Sequence, residues 1–169
     1  VRGRVRVGMI VETEAYIGPH DQASHAFGSK RTARNEAEYL VGGHVYIYLV
    51  YGMYWQFNIS TGREGVPECV LVRALEPIGP SPRGRGRSED LHTYLTNGPG
   101  KLCRFLKLDK SFYGEDVTAS KRLWVEDRRV RIPHAQIVSG PRINIDYAGR
   151  YWAAKPWRFY IKHNPSISK

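Results

Sequence analysis

Cysteine is scarce in this chain: Cys69 and Cys103 are the two present among 169 residues. Two thiols exclude a disulfide framework and a four-thiolate zinc site, and a reduced compartment is the expectation. Long apolar runs are missing too. The stretch from Val45 to Val50 is among the longest, far below the roughly 20 residues that span a bilayer as a helix. The opening Val-Arg-Gly-Arg-Val-Arg lacks the apolar middle of a signal peptide, so an intracellular, non-membrane protein is expected. No Walker A motif, GxGxxG, GxSxG, HExxH or CxxC occurs. These absences argue against ATP hydrolysis, dinucleotide chemistry, the usual serine hydrolases and common zinc sites. His20 and His25 lie five apart with Asp21 beside the first, but no further ligand follows at a defined spacing. No metal is expected.

Acid is the other deficit. Sixteen Asp and Glu stand against 26 Lys and Arg, leaving a formal net charge of +10 and a pI near 9.8. Such an excess is the electrostatic footprint of a nucleic-acid binder, because every neutralised phosphate releases counterions. The same charge also suits simple solubility, or attraction to acidic proteins and lipids. Length and composition fit one soluble domain: a typical domain has roughly 100–200 residues, and 41% of this chain is hydrophobic.

Strand signals outnumber helical ones. Val1, Val5 and Val7 alternate with Arg2, Arg4 and Arg6, predicting a strand that runs through Val11 into Thr13. Gly18 to Asn35 shows no period and reads as a long loop, a length uncommon unless the loop is functional. His44 to Ser60 holds Tyr46, Tyr48, Tyr51, Tyr54, Trp55 and Phe57, predicting two strands about a turn at Gly52. Glu68 to Leu75 predicts a further strand, closed by Glu76-Pro77. The segment 80–90 is basic and has little to bury, so it reads as a mobile loop. Leu91 and Leu95, then Leu102, Phe105 and Leu106, have helical spacing on either side of Asn97-Gly98-Pro99-Gly100. Short strands are expected at Leu123–Val125, Arg142–Ile145 and Arg158–Ile161. The fold class is therefore α+β, a single domain over residues 1–169. It has a mainly antiparallel, curved β-sheet and a few flanking helices.

Three constellations carry chemical potential. Glu12 and Glu14 are two apart on a strand and face the same side, where they form either a solvated polar face or the mount for a general base. The tyrosine-rich block is apolar yet demands partners for its hydroxyls, and tyrosines among cations can stack on bases. Asn97-Gly98-Pro99-Gly100-Lys101 opens a helix whose free N–H groups can hold a phosphate. The same turn equally serves as a plain helix start.

In chain order these segments resemble the alkyladenine (3-methyladenine) DNA glycosylase family. The resemblance runs through Ile10-Val11-Glu12-Thr13-Glu14-Ala15-Tyr16-Ile17-Gly18-Pro19, Ala23-Ser24-His25, Arg31 to Asn35, and Tyr46 to Tyr54. It continues through Asn58-Ile59-Ser60, Val70 to Pro77, Gly98 to Cys103, and Lys155-Pro156-Trp157-Arg158-Phe159-Tyr160. Against the family pattern, the chain begins almost at the first strand, and the family's N-terminal segment is expected to be absent. The basic stretch near Arg83–Arg87 stands where a longer helical connection is usual, and the Asn58–Arg73 turn is slightly enlarged.

The resemblance implies a monofunctional enzyme that turns a damaged purine out of duplex DNA and hydrolyses its glycosidic bond, with no cofactor. It implies that Glu14 activates the water and that Arg73 helps to orient water and base. Tyr16, His25 and Tyr48 would wall the base pocket. Asn58 would sit at its floor, where a guanine 2-amino group clashes or finds no acceptor. Tyr51 would plug the vacated stack, and Lys101, Gly100 and Arg34 would touch the DNA backbone. The implied substrates are 3-methyladenine, 7-methylguanine, hypoxanthine and ethenoadenine, and the enzyme would act as a monomer in nucleus or nucleoid. The competing expectation is a non-catalytic basic module that binds nucleic acid or the ribosome.

Overall fold

Alternating residues carry the first strand, β1, from Val7 to Ile17, four residues beyond its expected end at Thr13. In the computed structural model, residues 5–79 and 95–168 are described. Strands β2 (Val45–Val50) and β3 (Tyr54–Ser60) form the hairpin expected about Gly52. Strand β4 covers Glu68–Ile78. It continues through Pro77, which faces Gly8 near the strand end, where a missing N–H donor costs the ladder little. Helix α1 spans Pro99–Leu106, followed by β5 (Ile137–Gly140), α2 (Gly149–Ala153) and β6 (Arg158–Ile161). All pairings are antiparallel, in the order β2-β3-β4-β1-β6-β5. The α+β reading with one antiparallel, curved sheet holds.

Two expected strands are not formed. Leu123–Val125 is irregular: Leu123 packs against the main core, while Trp124 and Val125 are 45% and 52% exposed. Arg142–Ile145 is irregular because its polar groups are committed elsewhere: the Ile143 N–H donates to Glu14, and Arg142 pairs with Asp21. Strand β5 was not foreseen, four residues being too few to show a period. Leu91 and the 80–90 segment lie outside the described residues, and Leu95 sits in a turn before α1.

Register assigns the two faces. Residues opposite one another on paired strands share a face. Tyr16 faces Cys69; Glu14 faces Leu71, which faces Asn58, which faces Tyr46; Tyr48 faces Gln56. The opposite face presents Val45, Ile47, Phe57 and Val72, which form the main core with Leu102 and Cys103 of α1, Leu108 and Val117. Gly100 lets α1 lie against β3, since a Cβ there would come within 3.0 Å of the Tyr54 ring.

Two register irregularities flank Glu12. The pairing steps from Ile10 with Leu75 to Glu12 with Ala74 and then Thr13 with Val72. Val11 on β1 and Arg73 on β4 are each skipped. Bulges of this kind re-aim a side chain, and here they bring the Arg73 guanidinium between the two glutamates.

Candidate active site

Both strand carboxylates are buried rather than solvated: Glu12 is 1% and Glu14 0% exposed. Arg73 links them, its Nε 3.2 Å from Glu12 Oε1 and its Nη1 3.3 Å from Glu14 Oε2. Their other partners differ. Glu12 accepts from Arg158 Nε at 2.6 Å, Ser168 N at 2.5 Å and Ser168 Oγ at 2.7 Å, which ties it to β6 and the C-terminal segment. Glu14 accepts from the Ile143 N–H at 2.7 Å and from the Tyr16 hydroxyl at 2.9 Å. One carboxylate anchors chain segments; the other points toward an aromatic recess.

Tyr16 borders that recess together with His25, Glu38, Tyr46, Tyr48, Asn58, Cys69 and others, around a cavity of about 30 Å³. Burial, followed by the charge of Glu14, pushes the Tyr16 hydroxyl well up, so it remains a donor to Glu14. Burial likewise raises Tyr46 and Tyr48. His25 packs edge-on against Tyr48, with ring centroids 4.6 Å apart, and its Nδ1 lies 2.6 Å from the Tyr46 hydroxyl. Although His25 has an exposed outer edge, burial of the ring's inner side, then Arg34 and Lys30, lowers it to about 4. The imidazole is neutral at pH 7. The Asn58 amide is locked, its Nδ2 donating to the carbonyls of Tyr46 at 3.1 Å and Gln56 at 3.2 Å.

Tyr51, Lys101 and Gly100 stand apart from the recess, and Arg34 lies at its edge. Tyr51 occupies the β2–β3 turn with φ 52°, beside Gly52 at φ 69°, and the Met53 N–H closes the turn onto Val50 O. Two successive positive φ angles make a tight hairpin turn that matches strand twist. They also lift Tyr51 off the sheet, leaving it 84% exposed. Lys101 and Gly100 open α1, with Lys101 Nζ 2.7 Å from Asn97 Oδ1. Arg34 is exposed, its guanidinium 5.3 Å from the centre of the Tyr48 ring.

Sequence reasoning did not single out Arg142, Tyr147, Glu38 or Cys69. Arg142 and Asp21 form an ion pair with both side chains 0% exposed, with Arg142 Nη2 2.9 Å from Asp21 Oδ1. Asp21 also accepts from the Ala23 N–H at 3.0 Å, while Arg142 lies 4.7 Å over the Tyr16 ring. This pair holds the loop bearing His25 against β1. Tyr147 adds to the recess wall and donates to Ala23 O at 3.1 Å. The lone visible signal was Asp21, a carboxylate inside a loop too long to be idle.

Comparison with known proteins agrees with this geometry. A family profile described as methylpurine-DNA glycosylase matches residues 1–165. A protein of Natranaerobius thermophilus, provisionally named 3-methyladenine DNA glycosylase, is 42% identical, covering 99% of this chain and 85% of its own. A Bacillus cytotoxicus protein of the same provisional name is 45% identical over the whole of this chain and 87% of its own. One from Methanocella arvoryzae is 45% identical over 99% and 82% respectively. Sequence likeness of this extent, over a sheet that brings Glu14 to an aromatic recess, makes the chain a member of the methylpurine-DNA glycosylase family.

Proposed function

We propose that the recess receives a damaged purine turned out of duplex DNA and that Glu14 directs a water onto the sugar C1′. The observation that carries this reading is Tyr16, which lines the recess and donates to Glu14 at 2.9 Å. A base-binding wall and a buried carboxylate are thus one hydrogen bond apart. The target atom is hidden within stacked DNA, so the nucleotide must first be extruded. Tyr51, at the exposed hairpin tip, fills the gap it leaves.

In the pocket the purine stacks against Tyr16 on one side and against His25 and Tyr48 on the other. The rings' electron-rich faces favour alkylated, cationic purines, and neutral His25 adds no opposing charge. Water then attacks C1′ as the glycosidic bond breaks. The bonding pair leaves with the base, the water oxygen joins C1′, and the proton passes to Glu14. Arg73 Nη1 and the Tyr16 hydroxyl hold one Glu14 oxygen, and the Ile143 N–H holds the other. No lysine Schiff base takes part, and one copy of the chain suffices. Lys101, the Gly100 backbone and Arg34 grip flanking phosphates. 3-Methyladenine, 7-methylguanine, hypoxanthine and ethenoadenine are the substrate set.

The test is a single-turnover assay on a duplex with one hypoxanthine, enzyme in excess. Release of the base and an abasic product are expected. Binding without release would leave a nucleic-acid-binding module in place of the enzyme.

A further inference from the structure

Glu38 lies on the 3-10 turn Glu36–Tyr39, inside the recess wall, and is 1% exposed. Its Oε1 accepts from Cys69 Sγ at 3.4 Å. Its Oε2 is buried with no hydrogen-bond partner among the described residues. A buried polar atom left unpaired is destabilising, and such exceptions call for a functional cause. The neighbouring amide sharpens the point. Both directions of the Asn58 Nδ2 group are taken by backbone carbonyls, leaving its Oδ1 with one long contact to Cys69 Sγ at 3.9 Å. The recess floor therefore offers acceptor oxygens on Glu38 and Asn58.

We infer that Glu38 is a specificity-determining residue, its unpaired Oε2 accepting an N–H from the edge of the inserted purine. The inference rests on the recess being a base pocket. It selects damaged purines that keep an N–H on that edge. Hypoxanthine keeps N1–H, and 7-methylguanine keeps N1–H and the 2-amino group. Ethenoadenine has its edge bridged by carbon and offers no N–H. A guanine 2-amino group thus meets the Glu38 acceptor beside the Asn58 Oδ1. Burial pushes the Glu38 carboxyl up to about 7, so the acceptor form grows as pH rises through neutrality. The groups facing it are Cys69 and Asn35, whose side chains favour the charged form, and His25, Tyr16, Tyr46 and Tyr48, with Arg34, Asp21 and Arg142 behind them. Arg31 and Glu36 pair with each other on its own turn side.

The experiment compares duplexes carrying hypoxanthine or ethenoadenine, measuring single-turnover release and binding by fluorescence anisotropy, with wild type, Glu38→Met and Glu38→Gln. The preference for hypoxanthine over ethenoadenine should fall about 10- to 100-fold in Glu38→Met, the factor a charged-group hydrogen bond supplies. Glu38→Gln, which keeps a carbonyl acceptor, should retain part of it. In wild type the preference should rise between about pH 6 and 8, and both variants should be flat. An unchanged preference in Glu38→Met overturns the inference, as does an equal loss on both lesions with a lowered Tm, which marks a structural role. If wild type releases neither base, the hydrolase reading fails, while the relative binding of the two duplexes still decides the role of Glu38.

Discussion

The two faces of the central sheet are buried by opposite means. Toward α1, burial is apolar: Val45, Ile47, Phe57 and Val72 close on Leu102 and Cys103. On the other face, Glu12, Glu14, Asn58, Ser60 and Arg73 are nearly as enclosed, and hydrogen bonds and ion pairs join a smaller aromatic cluster around Tyr46 and Cys69. Apolar burial is non-directional and contributes roughly 1.5–3 kcal/mol per large side chain. Buried charges contribute little net stability but tolerate few geometries, because each must keep its partners. One face thus stabilises the molecule and the other positions groups. That contrast is open to direct attack from either side.

The largest effect is expected from Glu14→Gln. Loss of a general base should slow base release roughly 100- to 10,000-fold, with binding to damaged duplex largely kept. Glu12→Gln should slow release far less, since Glu12 bonds to β6 and Ser168 rather than to the recess wall. Equal activities for the two variants would erase the distinction between anchoring and reacting carboxylates. On the opposite face, Leu102→Ala should lower folding stability by about 2–5 kcal/mol in denaturant unfolding. Its release rate per folded molecule should be unchanged. A selective rate loss there would show that the faces are coupled.

Glu38→Gln should sharpen the contrast through pH. The Glu38 carboxyl is raised to about 7 in the folded protein, against about 4.3 in an unfolded chain. Between those values the folded state binds more protons, so this residue's contribution to stability falls as pH rises. Relative to wild type, Glu38→Gln should be neutral near pH 4 and more stable above pH 7, by on the order of 3 kcal/mol. Thermal unfolding across that range reads it; a constant difference would show that Glu38 is not buried as charge.

Tyr51→Ser comes next. At 84% exposure its truncation should barely move Tm, yet it should lower the flipped population of an ethenoadenine duplex. The loss should be of the order of the few kcal/mol that unstacking a base requires, read from lesion fluorescence. A destabilised variant with normal flipping would return Tyr51 to a packing role. The smallest effect belongs to Lys101→Ala, which should reduce the slope of log affinity against log salt by about one unit. An unchanged slope would leave Lys101 as the helix-start partner of Asn97.

Legibility of the fold followed the strength of local signals. The hairpin was readable because β-branched and aromatic residues flank Gly52 closely, and turn chemistry is local. Strand β5, the irregular Leu123–Val125 segment and the misread Arg142–Ile145 segment were not. In each case the deciding term was the presence or absence of a distant partner. For the site, the family resemblance proposes Glu14, Tyr16, His25, Tyr48 and Asn58; the sheet register sets Glu14, Tyr16, Tyr48 and Asn58 on one face, and a loop brings His25 beside Tyr48. Arg142 and Glu38 were invisible. A lone arginine and a lone glutamate have no period and match no motif, and only enclosure reveals their importance.

The sequence by itself determined the cationic surplus, the alternation of β1, the hairpin and its exposed tip, and the two-residue spacing that sets both glutamates on one side. Each is a property of neighbours along the chain. Tertiary structure decided that Glu12 anchors while Glu14 faces the recess, because their partners come from Arg158 and Ser168 in one case and Ile143 in the other. It also decided that Asp21 meets Arg142, 121 residues away, and that Glu38 keeps one oxygen free. Hydrogen bonds between residues far apart in the chain depend on register and burial, which no local pattern encodes.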